Sequence, residues 1–166
     1  MHRRIAPLLL LLIISAAVLA QQAPAKPNFT GIWNMDPAKS NFGGLDGPKS
    51  ARYLIRQLGS KLELQYESEG QTTRVDVIPD GEERVLETGP DNENLARVYW
   101  QGAVLVFEGR YRPMAGSNAP SIKYTSRWSL STDKKALSID RHITTEMGST
   151  DQKVVFEKQA AQAKAQ

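Results

Sequence analysis

From Phe29 onward, apolar and polar side chains alternate in short runs cut by turns. The clearest run is 61–67, with Leu62, Leu64 and Tyr66 on one side and Lys61, Glu63, Gln65 and Glu67 on the other. Successive side chains of a strand point to opposite faces, so this alternation predicts half-buried strands. Run 71–78 repeats it, setting Thr73, Val75 and Val77 against Thr72, Arg74 and Asp76. Run 121–130 groups Ile122, Tyr124, Trp128 and Leu130, and run 136–144 groups Leu137, Ile139, Arg141 and Ile143. Weaker runs cover 53–58, 83–87, 95–101, 103–109 and 153–157. A first run places Phe29, Gly31, Trp33 and Met35 together. No helix is predicted.

The breaks carry turn chemistry: Gly59-Ser60, Ser68-Glu69-Gly70, Pro79-Asp80-Gly81, Gly89-Pro90-Asp91, Gln101-Gly102, Thr132-Asp133-Lys134 and Met147-Gly148-Ser149. Glycine supplies positive φ, proline fixes φ, and aspartate bonds its own backbone. Two connections are longer, 36–50 and 110–120, and long loops in compact domains often serve as lids or binding loops. The expectation is an all-β fold, an antiparallel up-and-down meander of about 8–10 strands closed into a barrel. Closure hides the apolar face and removes exposed edges.

The first 20 residues read as a signal peptide: His2, Arg3 and Arg4, then an apolar run of about 15 residues, then small residues before a cut after Ala20. The run is short for a membrane span. Taking 20 residues from 166 leaves 146, enough for one domain with a core. Arg3 and Arg4 leave with the signal, so 19 basic residues face 18 acidic ones. That balance calls for neither nucleic acid nor an anionic membrane. There is no cysteine, so disulfides are excluded and stability rests on apolar burial. Residues 21–28 (QQAPAKPN) read as a flexible leader, 29–158 as the barrel, and 159–166 (QAAQAKAQ) as a disordered tail. The expected location is secreted or periplasmic.

Arg141 points inward by the same alternation as Leu137, Ile139 and Ile143. An unpaired buried guanidinium costs several kcal/mol, so it needs carbonyls, a carboxylate, a ligand anion or an aromatic face. Trp33 is the expected partner: once the first and last strands meet, Arg141 would cover the indole and plug one barrel end. Gly31-Ile32-Trp33 with a late inward arginine resembles the lipocalins and the wider calycin group, including fatty-acid-binding proteins. There a G-x-W triplet opens the first strand and an arginine packs across the tryptophan. The resemblance implies a calycin-like barrel with Gly31, Trp33 and Arg141 as its structural plug. The chain departs from lipocalins in lacking their cysteines and acidic middle motif. The stretches NFTGIWNMDPAKSNFG and RWSLSTDKKALSIDRHITT also resemble small exported bacterial proteins of unknown function.

Catalytic chemistry is sparse, and no enzyme is expected. His142, the one histidine after the signal, lies on the polar face beside Asp140 with no nucleophile elbow in the chain. One histidine and no cysteine leave no usual zinc set, and Asp91-Asn92-Glu93-Asn94 lacks the spacing of a calcium loop, so no metal or cofactor is expected. Gly43-Gly44 precedes no helix, Arg110-Tyr111-Arg112 could stack on nucleic acid but export argues against it, and the sequon Asn28-Phe29-Thr30 is read as incidental. The expected ligand-lining set is Tyr66, Val75, Val77, Trp100, Tyr124 and Trp128, side chains that suit a pocket for a small apolar or amphipathic molecule and equally a dry core. Two functions lead: non-covalent binding of such a ligand inside the barrel, entering opposite the plug, or a solid-core barrel acting as a protein-interaction or structural module; an enzyme using the barrel pocket ranks behind both.

Overall fold

The structure, a computed structural model, describes residues 25–160. The expected signal segment, residues 21–24 of the leader and residues 161–166 of the tail lie outside the described residues. Ten strands succeed one another: β1 (Gly31–Met35), β2 (Ala51–Leu58), β3 (Lys61–Ser68), β4 (Gln71–Val77), β5 (Glu83–Thr88), β6 (Asn92–Gln101), β7 (Val104–Pro113), β8 (Ile122–Leu130), β9 (Ala136–Thr145) and β10 (Gly148–Lys158). The one helical piece among the described residues is a 3-10 turn at Pro37–Lys39, capped by Asp36, whose carboxylate accepts from the Ala38 and Lys39 amides. No described helix is long and apolar enough to cross a membrane.

All ten strands form one antiparallel sheet in the order β4-β3-β2-β1-β10-β9-β8-β7-β6-β5. β1 therefore pairs with β10, with Trp33 opposite Lys158 and Met35 opposite Phe156. The sheet curls into a nearly closed barrel whose two edges, β4 and β5, are neighbours in sequence but share no ladder. Pro79, which has no amide hydrogen, lies in the turn that joins them.

The expected meander and its inward faces are present. Three boundaries differ. β6 starts at Asn92 rather than Leu95, so Asn92, Glu93 and Asn94 of the Asp91-Asn92-Glu93-Asn94 segment are strand. β7 runs to Pro113 and takes up Arg110-Tyr111-Arg112 from the expected long loop. These ends pair with each other, Asn94 opposite Tyr111, and Arg112 is held by Glu93. β10 starts at Gly148 because Thr150 and Gln152, which continue its inward side, are polar and hide the alternation.

The Trp33 end of the barrel is solid. Phe29, Trp33, Leu105 and Leu137 are fully buried there, with Ile55 and Leu62 beside them. Trp33 Nε1 donates to the Phe29 carbonyl at 2.8 Å, and Phe29 stacks on Trp100 at 5.9 Å.

Candidate functional site

The half of the barrel away from Trp33 is hollow. Alternation along β3, β4 and β7–β10 turns apolar and aromatic side chains toward a cavity of about 510 Å³ that opens at the far end. Leu64, Tyr66, Val75 and Val77 form one wall. Phe107, Tyr124, Trp128 and Ile139 form the other. The roof is the 36–50 connection, which contributes Phe42, Asp46, Gly47 and Pro48.

That roof is strapped to β10. Asn41 and Lys153 exchange backbone hydrogen bonds of 2.7 and 2.8 Å. The Val155 amide donates to Ser40 Oγ at 3.0 Å, and Gln152 Nε2 donates to the Phe42 carbonyl at 3.2 Å. Gly47 lies flat on the Phe42 ring, where a Cβ would come within 2.2 Å of it. The aromatic lid over the mouth thus depends on that glycine.

Arg141 projects into the cavity. Its Nε donates to Ser126 Oγ at 3.1 Å, the residue directly opposite it on β8. Ser126 is the one buried polar side chain among the core residues. No carboxylate among the described residues lies within salt-bridge distance of this guanidinium. Glu87 and Asp46 also line the cavity but do not pair with it. The remaining guanidinium hydrogens are therefore available to an anion.

Hydroxyls surround this cation. Tyr124 OH donates to Asn94 Oδ1 at 2.8 Å, and its ring lies across Gly109, where a Cβ would approach it to 2.5 Å. Burial pushes the Tyr124 phenol up to about 12, with the Asn94 bond and Arg141 opposing. Burial also raises Tyr111 and, more strongly, Tyr53, again with the positive charge of Arg141 working the other way. All three phenols stay neutral near pH 7; Tyr124 donates to Asn94, while Tyr53 and Tyr111 make no hydrogen bond to a described residue and can donate. Below Arg141 the lining is aromatic. Tyr53 lies 4.8 Å from Tyr66, 5.0 Å from Trp128 and 5.2 Å from Phe156, and Trp128 lies 5.0 Å from Phe107. The Trp128 indole N–H is buried with no hydrogen-bond partner among the described residues, an unspent donor of the kind that buried polar groups rarely leave.

Of the expected lining residues, Tyr66, Val75, Val77, Tyr124 and Trp128 border the cavity. Trp100 does not. It faces inward, but at the solid end, stacked on Phe29 with Lys26 5.9 Å from its ring. The expected plug is also corrected. Gly31 and Trp33 sit at the closed end, but the cation over the indole is Lys158, with Nζ 5.1 Å from the ring centroid. Arg141 is inside the cavity instead. Gly31 has φ +153°, a backbone conformation that side-chain-bearing residues rarely adopt, and a Cβ there would also displace Lys158, whose Cε it would meet at 2.7 Å. His142 bonds not to Asp140 but across to Asp151, Nδ1 to Oδ1 at 2.7 Å, on the outer face.

Tyr53, Tyr111, Ser126 and Gln152 escaped the sequence reading. The 53–58 run alternates weakly, Tyr111 sits between two arginines, and the polar pair carries no strand signal.

No family model and no curated protein matches the chain. Solved structures do match in shape. A zebrafish ileal bile acid-binding protein complexed with cholic acid is 14% identical, with a TM-score of 0.57, covering 79% of this chain and 98% of that one. A fatty acid transporter is 11% identical with a TM-score of 0.58, covering 80% and 97%. A secretory abundant heat soluble protein from Ramazzottius varieornatus is 14% identical with a TM-score of 0.59, covering 79% and 95%. At these identities the likeness shows the fold alone, a ten-stranded antiparallel barrel of the shape these proteins share.

Proposed function

We propose that this protein binds a small amphipathic anion non-covalently inside its barrel. The observation that carries the reading is Arg141, an inward cation beside a cavity of about 510 Å³ with no carboxylate to neutralise it among the described residues. An unpaired inward charge costs stability, and a ligand anion offsets that cost. The apolar walls accept the rest of the molecule. Two of the similar folds support the reading, since one is a bile acid-binding protein with cholic acid and another a fatty acid transporter. The lining offers hydrogen-bond donors rather than a nucleophile with its base, which favours a binder over an enzyme.

The second reading, a solid-core interaction module, fits the Trp33 end but not the hollow half. Intrinsic fluorescence decides between them, because Trp128 borders the cavity. Titration with fatty acids, retinoids and bile salts should quench Trp128, and Arg141→Gln should weaken the anionic ligands by about tenfold or more. No response across the panel would leave the interaction module standing.

The location is part of the same proposal: a basic start and an apolar run address the chain for export, with residues 1–20 removed. The N-terminus of protein recovered outside the cytoplasm should be Gln21. An intact Met1 would refute processing.

A further inference from the structure

We infer that the ligand is an aryl anion, a flat ring system bearing a carboxylate or a comparable acid, rather than a flexible alkyl acid. The inference rests on the ligand-binding reading and concerns what lies beneath the guanidinium. Arg141 is opposite Ser126, and one inward step further from the mouth Ile139 is opposite Trp128. Two residues along a strand span roughly 6.6 Å, so the aromatic layer begins about one ring's depth below the charge. In that layer Tyr53 is the hub. Tyr66 is its cross-strand neighbour on β3, and the Trp128 and Phe156 rings stand edge-on to it at 62° and 65°.

Trp128 and Phe156 are almost wholly buried, whereas Tyr53 and Tyr66 remain half-buried and border the cavity. The surface offered below Arg141 is therefore π-faces and ring edges. Such a surface favours a flat ring over an alkyl chain of equal area through the ring quadrupoles. A rigid ring also surrenders less conformational freedom on binding than a chain with many rotatable bonds. The Tyr53 hydroxyl makes no hydrogen bond to a described residue, and Arg141 lies close enough to act on its ionisation. An acid group on Arg141 can take that hydroxyl as a second donor while its ring rests on Tyr53 and Tyr66.

The test is calorimetric titration of the full chain with 2-naphthoate and with decanoate, two monocarboxylates of similar carbon count. We expect 2-naphthoate to bind about tenfold more tightly. Tyr53→Leu should erase that preference, so that 2-naphthoate and decanoate bind the variant within about threefold of each other, and Tyr66→Leu serves the same purpose if the first variant fails to fold. Equal affinities, or a preference unchanged in both variants, would overturn the inference. Decanoate binding that is lost in Arg141→Gln, with no preference for the ring, overturns the ring and leaves the ligand-binding reading intact. Binding of neither probe overturns both.

Discussion

Lys158 holds its ammonium 5.1 Å from the centroid of the Trp33 ring, and the two residues face each other across the β1–β10 pair. The first and last strands are thus joined by an indole, a lysine and the glycine that lets the lysine lie flat. The energies divide unequally. Trp33 is fully buried and bonded to the Phe29 carbonyl, so Trp33→Ala should cost about 3–5 kcal/mol. Lys158 is exposed, and Lys158→Ala should cost about 0.5–1 kcal/mol. Chemical denaturation of both variants measures the split. Equal losses would mean that the lysine is structural in its own right.

The same pair explains how far the sequence could be read. Alternation fixes which face a side chain takes, and it placed Tyr66, Val75, Val77, Tyr124, Trp128 and Arg141 inward, as found. It does not fix height along the barrel. Trp33 lies opposite Lys158 and Arg141 opposite Gln152. Those two β10 positions are six residues apart, roughly 20 Å of strand. Arg141 and Trp33 therefore share an interior but not a level. Trp100 also faces the interior but stacks on Phe29, outside the cavity lining. Register depends on turns and on pairing between distant strands. Tyr53 was hidden by a run whose alternation is imperfect, and Tyr111 by arginines on both sides that are held on the outer face by Glu83 and Glu93.

Arg141 should oppose stability while serving binding. Its guanidinium faces a cavity with one serine as a protein partner among the described side chains. Replacing an inward charge with an apolar side chain of similar length relieves desolvation. Arg141→Met should therefore raise stability of the ligand-free protein by on the order of 1 kcal/mol, read as an upward shift in Tm, while anion binding is lost. A lower Tm for Arg141→Met would show that the guanidinium is part of the frame.

The buried phenols make the protein sensitive to alkali. Burial holds Tyr124 at about 12 in the folded state, against about 10 when unfolded. The folded state then keeps its proton where the unfolded state has lost it, so the contribution is complete below pH 10 and is lost as pH rises toward 12. Tyr53 acts in the same direction. Ultraviolet titration should show tyrosines that ionise above the ordinary range, accompanied by loss of stability. Gly109→Ala, whose Cβ would strike the Tyr124 ring at 2.5 Å and the Leu95 carbonyl at 2.8 Å, should cost about 1–3 kcal/mol.

Asp80 acts at the other end of the pH scale. Both its oxygens are held by Arg84, at 2.6 and 2.8 Å, and one also accepts from the Glu82 amide at 3.0 Å. The Arg84 hydrogen bonds, then the amide, lower its carboxyl to about 2. Unfolded, it would titrate near 3.9. Its contribution is present above pH 4 and disappears as pH falls toward 2. Carboxyl-detected NMR should return the low value in the native chain and a value moved toward the ordinary range in Arg84→Ala. An unchanged titration in that variant would remove Arg84 as the cause.

The same Asp80–Arg84 clasp ties β5 to the turn that follows β4, beside the place where the described barrel lacks a ladder. β4 and β5 are the sheet edges, so one side of each strand has backbone groups without cross-strand partners, whereas β1 and β10 are paired on both sides. Interior paired strands open only with the whole domain, and edges open locally. Hydrogen exchange should therefore be fastest among strand amides in β4 and β5 and slowest in the inner part of β10, where Val154, Val155 and Phe156 are buried. The cavity gives the slit a further consequence. Val75, Val77 and Leu86 line the cavity and belong to its two edge strands, so a bound ligand bridges from inside what the backbone does not. Saturating ligand should slow exchange in β4 and β5 more than in β10. Protection spread evenly over all ten strands would mean that the ligand stabilises the barrel globally and leaves the slit as it is.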